Sequence, residues 1–196
     1  VPKETLAEEA MKMESYGAQG VILMDSAGAY LQKDVTEKVS ALASALTIPV
    51  GFHAHNNLGL SVANSVAAAE AGAMIIDVSA RGFGAGAGNT PIELLIGVFE
   101  RLGFATGVDL YHILDASDIA EKELMKILPF PKPVSIVSGL AGVFSGFAKH
   151  VERVAAEYKL DPRDIFFELG KRRVVAGKED LIVEVAIELS AKKESK

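Results

Sequence analysis

The strongest constraint on this chain is a repeat of short apolar runs separated by longer helical stretches, at a spacing of about 25–30 residues. Residues 3–16 place Leu6, Ala10, Met13 and Tyr16 on one helical stripe with charges opposite, and Gly17 stands where a helix C-terminus would end. Residues 20–25 (GVILMD) are too short for a helix and read as a buried parallel strand. Val35, Val39, Leu42 and Leu46 mark a helix over 33–46, Pro49 breaks it, and residues 50–55 (VGFHAH) read as the next strand. A small-residue helix over 58–70 ends at Gly72, and residues 74–79 (MIIDVS) form the third strand. Units of this kind build a parallel sheet with helices outside. Three strands leave both sheet edges open and one face unfilled, where eight would close a barrel. The expectation is therefore an α/β fold that forms part of a (β/α)8 barrel and does not complete that barrel alone.

Beyond residue 107 the strand signal fades. Residues 109–127 read as a helix with Leu110, Ile113, Leu114, Ile119 and Leu124 as its buried set. The stretch PFPKP, residues 129–133, reads as a stiff linker. Residues 139–158 read as one helix despite Gly139, Gly142 and Gly146. Asp161-Pro162 is an N-cap followed by proline at the first helical position, opening a helix over 161–169. Residues 178–191 form a last amphipathic helix, and KKESK at the end reads as a solvated tail. The resulting division is a partial barrel over 1–107 and a helical domain over 108–196.

Composition narrows the function classes. The 196 residues carry a formal net charge of -6 with both signs scattered, which argues against a nucleic-acid-binding surface. With no cysteine, disulfides and thiolate metal sites are excluded. No apolar run reaches the roughly 18 residues of a membrane span and no signal peptide is visible, so a cytoplasmic location is the default expectation.

Four constellations carry chemical information. In HAHNN, residues 53–57, the two-residue strand period points His53 and His55 the same way, and at the C-terminal end of a barrel strand both would face the mouth. Two imidazoles with a carboxylate and open positions hold a divalent ion in many catalytic sites; a pair of hydrogen-bonded surface histidines is the plainer alternative. Asp25 ends the preceding strand and is open to three readings: a third ligand, an acceptor for an imidazole N–H, or a helix N-cap. Ser26 and Gly28 follow it, as suits a tight turn. The second constellation is RGFGAGAGNT, residues 81–90, where Gly82, Gly84, Gly86 and Gly88 permit close approach of a ligand and Pro91 opens the next helix. A ligand-free connecting loop is the alternative, and the spacing is no dinucleotide fingerprint. In ELGKRRVVAGKED, residues 168–180, Lys171, Arg172 and Arg173 read as charges complementing a helix C-terminus. In GLAGVFSGF, residues 139–147, small residues with interspersed aromatics indicate close helix packing. His112 and His150 read as ordinary surface or interface residues.

Taken together, HAHNNLGLSVANSVAAAEAGA, GFGAGAGNTPIE and ELGKRRVVAGKEDLIVEVA resemble the 4-hydroxy-2-oxovalerate aldolases, metal-dependent pyruvate aldolases of bacterial meta-cleavage aromatic degradation. The resemblance runs in order through essentially the whole chain. It implies a lyase that cleaves 4-hydroxy-2-oxopentanoate to pyruvate and acetaldehyde with a divalent metal, commonly Mn²⁺, held by an aspartate and two histidines matching His53 and His55. It implies that Asp25, Ser26, Asn57, Gly84, Gly86 and Asn89 lie at the substrate. It implies that the three strands are the sixth, seventh and eighth of the barrel. It also implies that helices from about residue 108 dock an NAD-dependent acylating acetaldehyde dehydrogenase; their apolar faces fit self-association as well.

Two departures stand out. The family's R-D-G segment and the histidine after it, which supply the metal-binding aspartate, an enolate-stabilising arginine and a base, occur nowhere in this chain. Phe144 occupies the position of a family tyrosine, keeping its shape and losing its hydroxyl. The competing readings are a related lyase or synthase acting on acyl-CoA, and a non-catalytic piece that docks a partner.

Overall fold

The computed structural model describes residues 1–194; Ser195 and Lys196, the end of the expected tail, lie outside the described residues. The first half alternates as the patterning predicts: α1 (Lys3–Ser15), β1 (Val21–Asp25), α2 (Gln32–Ala45), β2 (Val50–Ala54), α3 (Ser61–Glu70), β3 (Ile75–Asp77) and α4 (Ile92–Leu102). The three strands pair in parallel in the order β1-β2-β3. One sheet face takes the helices. Leu23, Val50, Phe52 and Ala54 bury there against Val35, Val39 and Leu42 of α2 and Ala67 and Ala68 of α3. Burying these side chains removes apolar surface from water, at about 25 cal/mol per Å².

The opposite sheet face carries Ile22 and Met24 on β1, Gly51 and His53 on β2, and Ile75 and Asp77 on β3, as the two-residue period and the strand register dictate. Met24 is 54% and Ile22 42% exposed on this face. Gly51 is obligatory: a Cβ there would come within 2.9 Å of Ile22 Cγ1 and 3.1 Å of Ile75 Cβ.

Three expectations for the second half are corrected. Helix α5 (Leu110–Leu124) exists, capped by Asp109, whose carboxylate accepts the His112 N–H at 2.8 Å. Its expected buried set is not buried, however: Leu114, Ile119 and Leu124 are exposed, and Ser117 is the residue the helix buries. The reason is electrostatic anchoring. Arg81, from the 3-10 turn Ala80–Gly82, bonds Glu93 of α4 and both Asp118 and Glu121 of α5, and Ser117 donates to Glu93 at 3.1 Å. The polar side of α5 therefore faces the protein. Second, residues 139–158 are not one helix. Helix α6 (Pro133–Ala141) begins inside the expected linker, Gly142 ends it at φ 67°, a 3-10 turn follows over Ser145–Phe147, and α7 (Ala148–Glu157) continues. The left-handed Gly142 is a C-cap, favoured by a residue without Cβ. Third, α8 (Pro162–Lys171) is followed by α9 (Asp180–Glu194), which runs into the segment expected as a tail.

A second buried cluster forms from Val143, Phe147, Val151, Val154, Ile165, Phe166, Leu169, Ile182 and Val185. It is distinct from the cluster under the sheet. Among the described residues no helix is long and apolar enough to cross a membrane.

Candidate metal and substrate site

The C-terminal ends of the strands gather the residues singled out by sequence. His53 and His55 lie on the same face with ring centroids 5.2 Å apart. Both are almost fully buried. His53 pairs in register with Asp77, and its Nδ1 lies 2.8 Å from Asp77 Oδ2. The His55 Nδ1 lies 3.3 Å from Ser145 Oγ. Neither Nε2 has a hydrogen-bond partner among the described residues. Burial, with the neighbouring His53 adding to it, pushes the His55 imidazole down to about 4, so it is neutral at physiological pH.

This arrangement fits a divalent cation from the protein's side. A metal-ligating imidazole usually donates its other ring N–H to a carboxylate or oxygen acceptor, which orients the ring and fixes the tautomer. Asp77 and Ser145 occupy those outer positions, leaving two Nε2 atoms as donors. Among the described residues no third His, Cys, Asp or Glu completes the cluster.

Asp25 does not join the histidines. It is buried, and its carboxylate accepts the Ala29 N–H at 2.9 Å and the Tyr30 N–H at 3.0 Å, holding the turn from β1 to α2. Of its three sequence readings, the local backbone cap is the one the geometry realises. Burial raises its carboxyl above the usual range and the backbone donors pull it partly back. Ser26, next in the chain, lines a cleft of roughly 760 Å³ with Gly142, Arg173 and Val174. Phe144 also borders this side of Ser26 and Ala27, and its ring packs edge-on to Phe147 at 5.6 Å.

Asn57 is fully buried and ties three segments together. Its Nδ2 donates to Ala27 O at 2.9 Å and Ser145 Oγ at 2.6 Å, and its Oδ1 accepts the Ala87 N–H at 3.2 Å. The glycine-rich loop folds over this knot. Its close approaches are to the protein's own atoms: a Cβ on Gly84 would meet the Asn89 side chain at 2.5 Å, and one on Gly86 (φ 64°) would meet Asn57 Oδ1 at 2.9 Å. Asn89 donates from Nδ2 to Phe83 O, while its buried Oδ1 has no partner. The loop is latched to β2's exit by the Asn56 N–H, which donates to Gly88 O at 2.7 Å.

Of the basic cluster, Lys171 and Arg172 close α8: Lys171 pairs with Glu168, and Arg172 bonds Glu184 and Glu188 of α9. His112 is exposed, and His150 is half-buried. Sequence reasoning missed two contributors, Asp77 and Ser145. Asp77 was legible in part as the acidic end of the third strand. Ser145 had no local signal, since it meets His55 across 90 residues of chain.

The HMGL-like family model matches residues 1–120, and a DmpG-like communication domain matches residues 129–191. A 4-hydroxy-2-oxovalerate aldolase of Pectobacterium atrosepticum is 63% identical over 190 residues, covering 97% of this chain and 55% of that protein. One from Spirochaeta aurantia is 62% identical over 187 residues, covering 95% and 55% respectively. The chain thus spans a little over half the length of these curated relatives. Among solved structures, the carboxyl transferase domain of Rhizobium etli pyruvate carboxylase with 3-hydroxypyruvate superposes with a TM-score of 0.81 at 17% identity, covering 98% of this chain and 34% of that one. That likeness concerns the fold alone.

Proposed function

The chain belongs to the HMGL-like family, and from that premise we propose that it is the site-bearing C-terminal portion of a 4-hydroxy-2-oxovalerate aldolase. The observation that carries the reading is the pair of buried imidazoles at the end of β2, each with Nδ1 engaged and Nε2 without a hydrogen-bond partner among the described residues. The high identity to named aldolases over nearly the whole chain supports the substrate.

In the proposed reaction the C3–C4 bond of 4-hydroxy-2-oxopentanoate breaks. The 4-hydroxyl loses its proton and becomes the acetaldehyde carbonyl. The bonding electron pair passes to C3, with the negative charge shared by the 2-oxo group, and protonation of C3 gives pyruvate. A divalent cation, Mn²⁺ in this proposal, supplies Lewis-acid stabilisation of that charge. His53 and His55 would hold it, Asp77 and Ser145 orient the two rings, and Ser26 is the substrate contact best placed at the cleft. Asp25 and Asn57 support the site through the turn and loop they hold; Gly84, Gly86 and Asn89 shape its rim. The phenyl ring of Phe144 offers bulk beside Ser26 without a proton to transfer. No base for the hydroxyl proton is assigned to this chain.

The same proposal makes β1, β2 and β3 the last three strands of a (β/α)8 barrel, which the unfilled sheet face with Ile22 and Met24 supports. It divides the chain into a barrel portion and a helical portion, supported by the two separate buried clusters. The packing of α5 on α4 favours the Pro-rich stretch 129–133, rather than residue 108, as the boundary. The helices beyond it would dock an acylating acetaldehyde dehydrogenase, in keeping with the communication-domain match. A cytoplasmic setting goes with this reading.

The test is pyruvate release from 4-hydroxy-2-oxopentanoate with Mn²⁺ and with chelator. Metal-dependent release is expected from protein whose barrel is complete. Release that persists unchanged in chelator would sink the metal reading; failure of a complete barrel to release pyruvate would sink the aldolase reading.

A further inference from the structure

Ser145, within the segment matched by the communication domain, places its hydroxyl 3.3 Å from His55 Nδ1 and is 2% exposed. Its hydroxyl has three neighbours: Asn57 Nδ2 at 2.6 Å, the Ser26 carbonyl at 3.2 Å and His55 Nδ1 at 3.3 Å. A hydroxyl has one proton to donate and two lone pairs to accept with. The Asn57 amide cannot be reversed, because its Oδ1 accepts the Ala87 N–H and its Nδ2 donates to the Ala27 carbonyl. Asn57 therefore donates to Ser145 Oγ. The Ser26 carbonyl can only accept, so it takes the hydroxyl proton. One lone pair remains, and it faces His55 Nδ1.

We propose that Ser145 is a positioning residue: it accepts a hydrogen bond from the Nδ1–H of His55, holds that ring in one tautomer, and so presents Nε2 as the donor to a divalent cation. The inference rests on the metal reading above for its consequence, but the tautomer itself does not depend on a bound ion. Asn57 and Ser26 act through Ser145, because they fix which way its hydroxyl points. The arrangement also means that the residue setting the ligand atom of His55 comes from the helical half, not from the strand that carries the ligand. A change in how the Ser145–Phe147 turn sits on β2 would then be felt at Nε2.

The experiment is long-range nitrogen–proton correlation of the imidazole rings in ¹⁵N-labelled, metal-free protein at neutral pH, which reports which ring nitrogen carries the proton. Wild-type His55 is expected to carry it on Nδ1. In Ser145→Ala the His55 signals should move toward the Nε2–H form and the Kd for Mn²⁺ should rise by about 10–100-fold. His53, held by Asp77, should keep its tautomer in both proteins and reports in the same spectrum that β2 is intact. Wild-type His55 protonated on Nε2, or a Ser145→Ala protein with unchanged His55 tautomer and unchanged Kd, would overturn the assignment. If the variant fails to fold, the wild-type tautomer still decides. Protein with a complete barrel that binds no Mn²⁺ while His55 carries its proton on Nδ1 would defeat the metal reading and leave the role of Ser145 at the ring standing, so the two failures are distinguishable.

Discussion

A buried histidine held neutral makes folding sensitive to acid in a predictable direction. His55 titrates at about 4 in the fold against an ordinary 6.5, because burial and the adjacent His53 disfavour its charged form. Below the unfolded value the unfolded chain binds a proton that the fold refuses, so stability is undiminished above about pH 6.5 and falls as pH drops toward 4. The shift corresponds to at most about 3 kcal/mol. Urea titrations of metal-free protein across this window should show wild type losing stability more steeply than His55→Gln; parallel pH profiles would contradict it. At this scale the sequence revealed much of the site. The two-residue strand period alone put His53 and His55 on one side. It could not reveal Asp77 as the partner of His53, because that pairing depends on the register between β2 and β3. Nor could it show that Asp25 turns its carboxylate onto the Ala29 and Tyr30 amides.

Among the elements, the glycine-rich loop and helix α4 respond oppositely to the same substitution. Gly88 sits at φ 91°, and a Cβ there would come 2.3 Å from Gly82 O and 2.6 Å from Pro129 Cβ. Gly88→Ala should therefore destabilise the protein by about 2 kcal/mol or more, through strain and displaced backbone. Gly97, inside α4, has nothing within 4 Å of a Cβ, so Gly97→Ala should stabilise by about 0.5–1 kcal/mol from the smaller entropy of the unfolded chain. Thermal melts of both variants check the pair; a shift of the same sign in each would refute the packing argument. Element boundaries were least legible where glycine has two roles. Gly139 lies inside α6, where a Cβ would crowd Leu58 at 3.0 Å and Asn57 at 3.2 Å, whereas Gly142 ends the helix. Helix α5 misled for another reason. Its apolar residues follow helical spacing, yet Arg81 draws its acidic side inward.

On the scale of the whole molecule, Asn57 is the fastening between the two buried clusters, bonding the β1 turn, the glycine-rich loop and the Ser145 turn at once. Asn57→Ala would leave the buried Ala87 N–H without its partner and free the half-buried Ala27 carbonyl, at a cost of about 1–3 kcal/mol. Hydrogen exchange should then quicken together in residues 86–90 and 142–147, while the centres of α2 and α8 keep their protection. Loss of protection confined to one of those segments would show that Asn57 does not join them. The sequence by itself determined the alternating α/β first half, the helical second half and the shared face of the two histidines, because hydrophobic period and strand pleat are local properties of neighbouring residues. Only the tertiary structure decided which groups hold the histidine rings, which face α5 buries and why the loop glycines are required. Those outcomes arise from contacts between segments distant in the chain, and no local period encodes the register or the hydrogen-bond accounting that settles them.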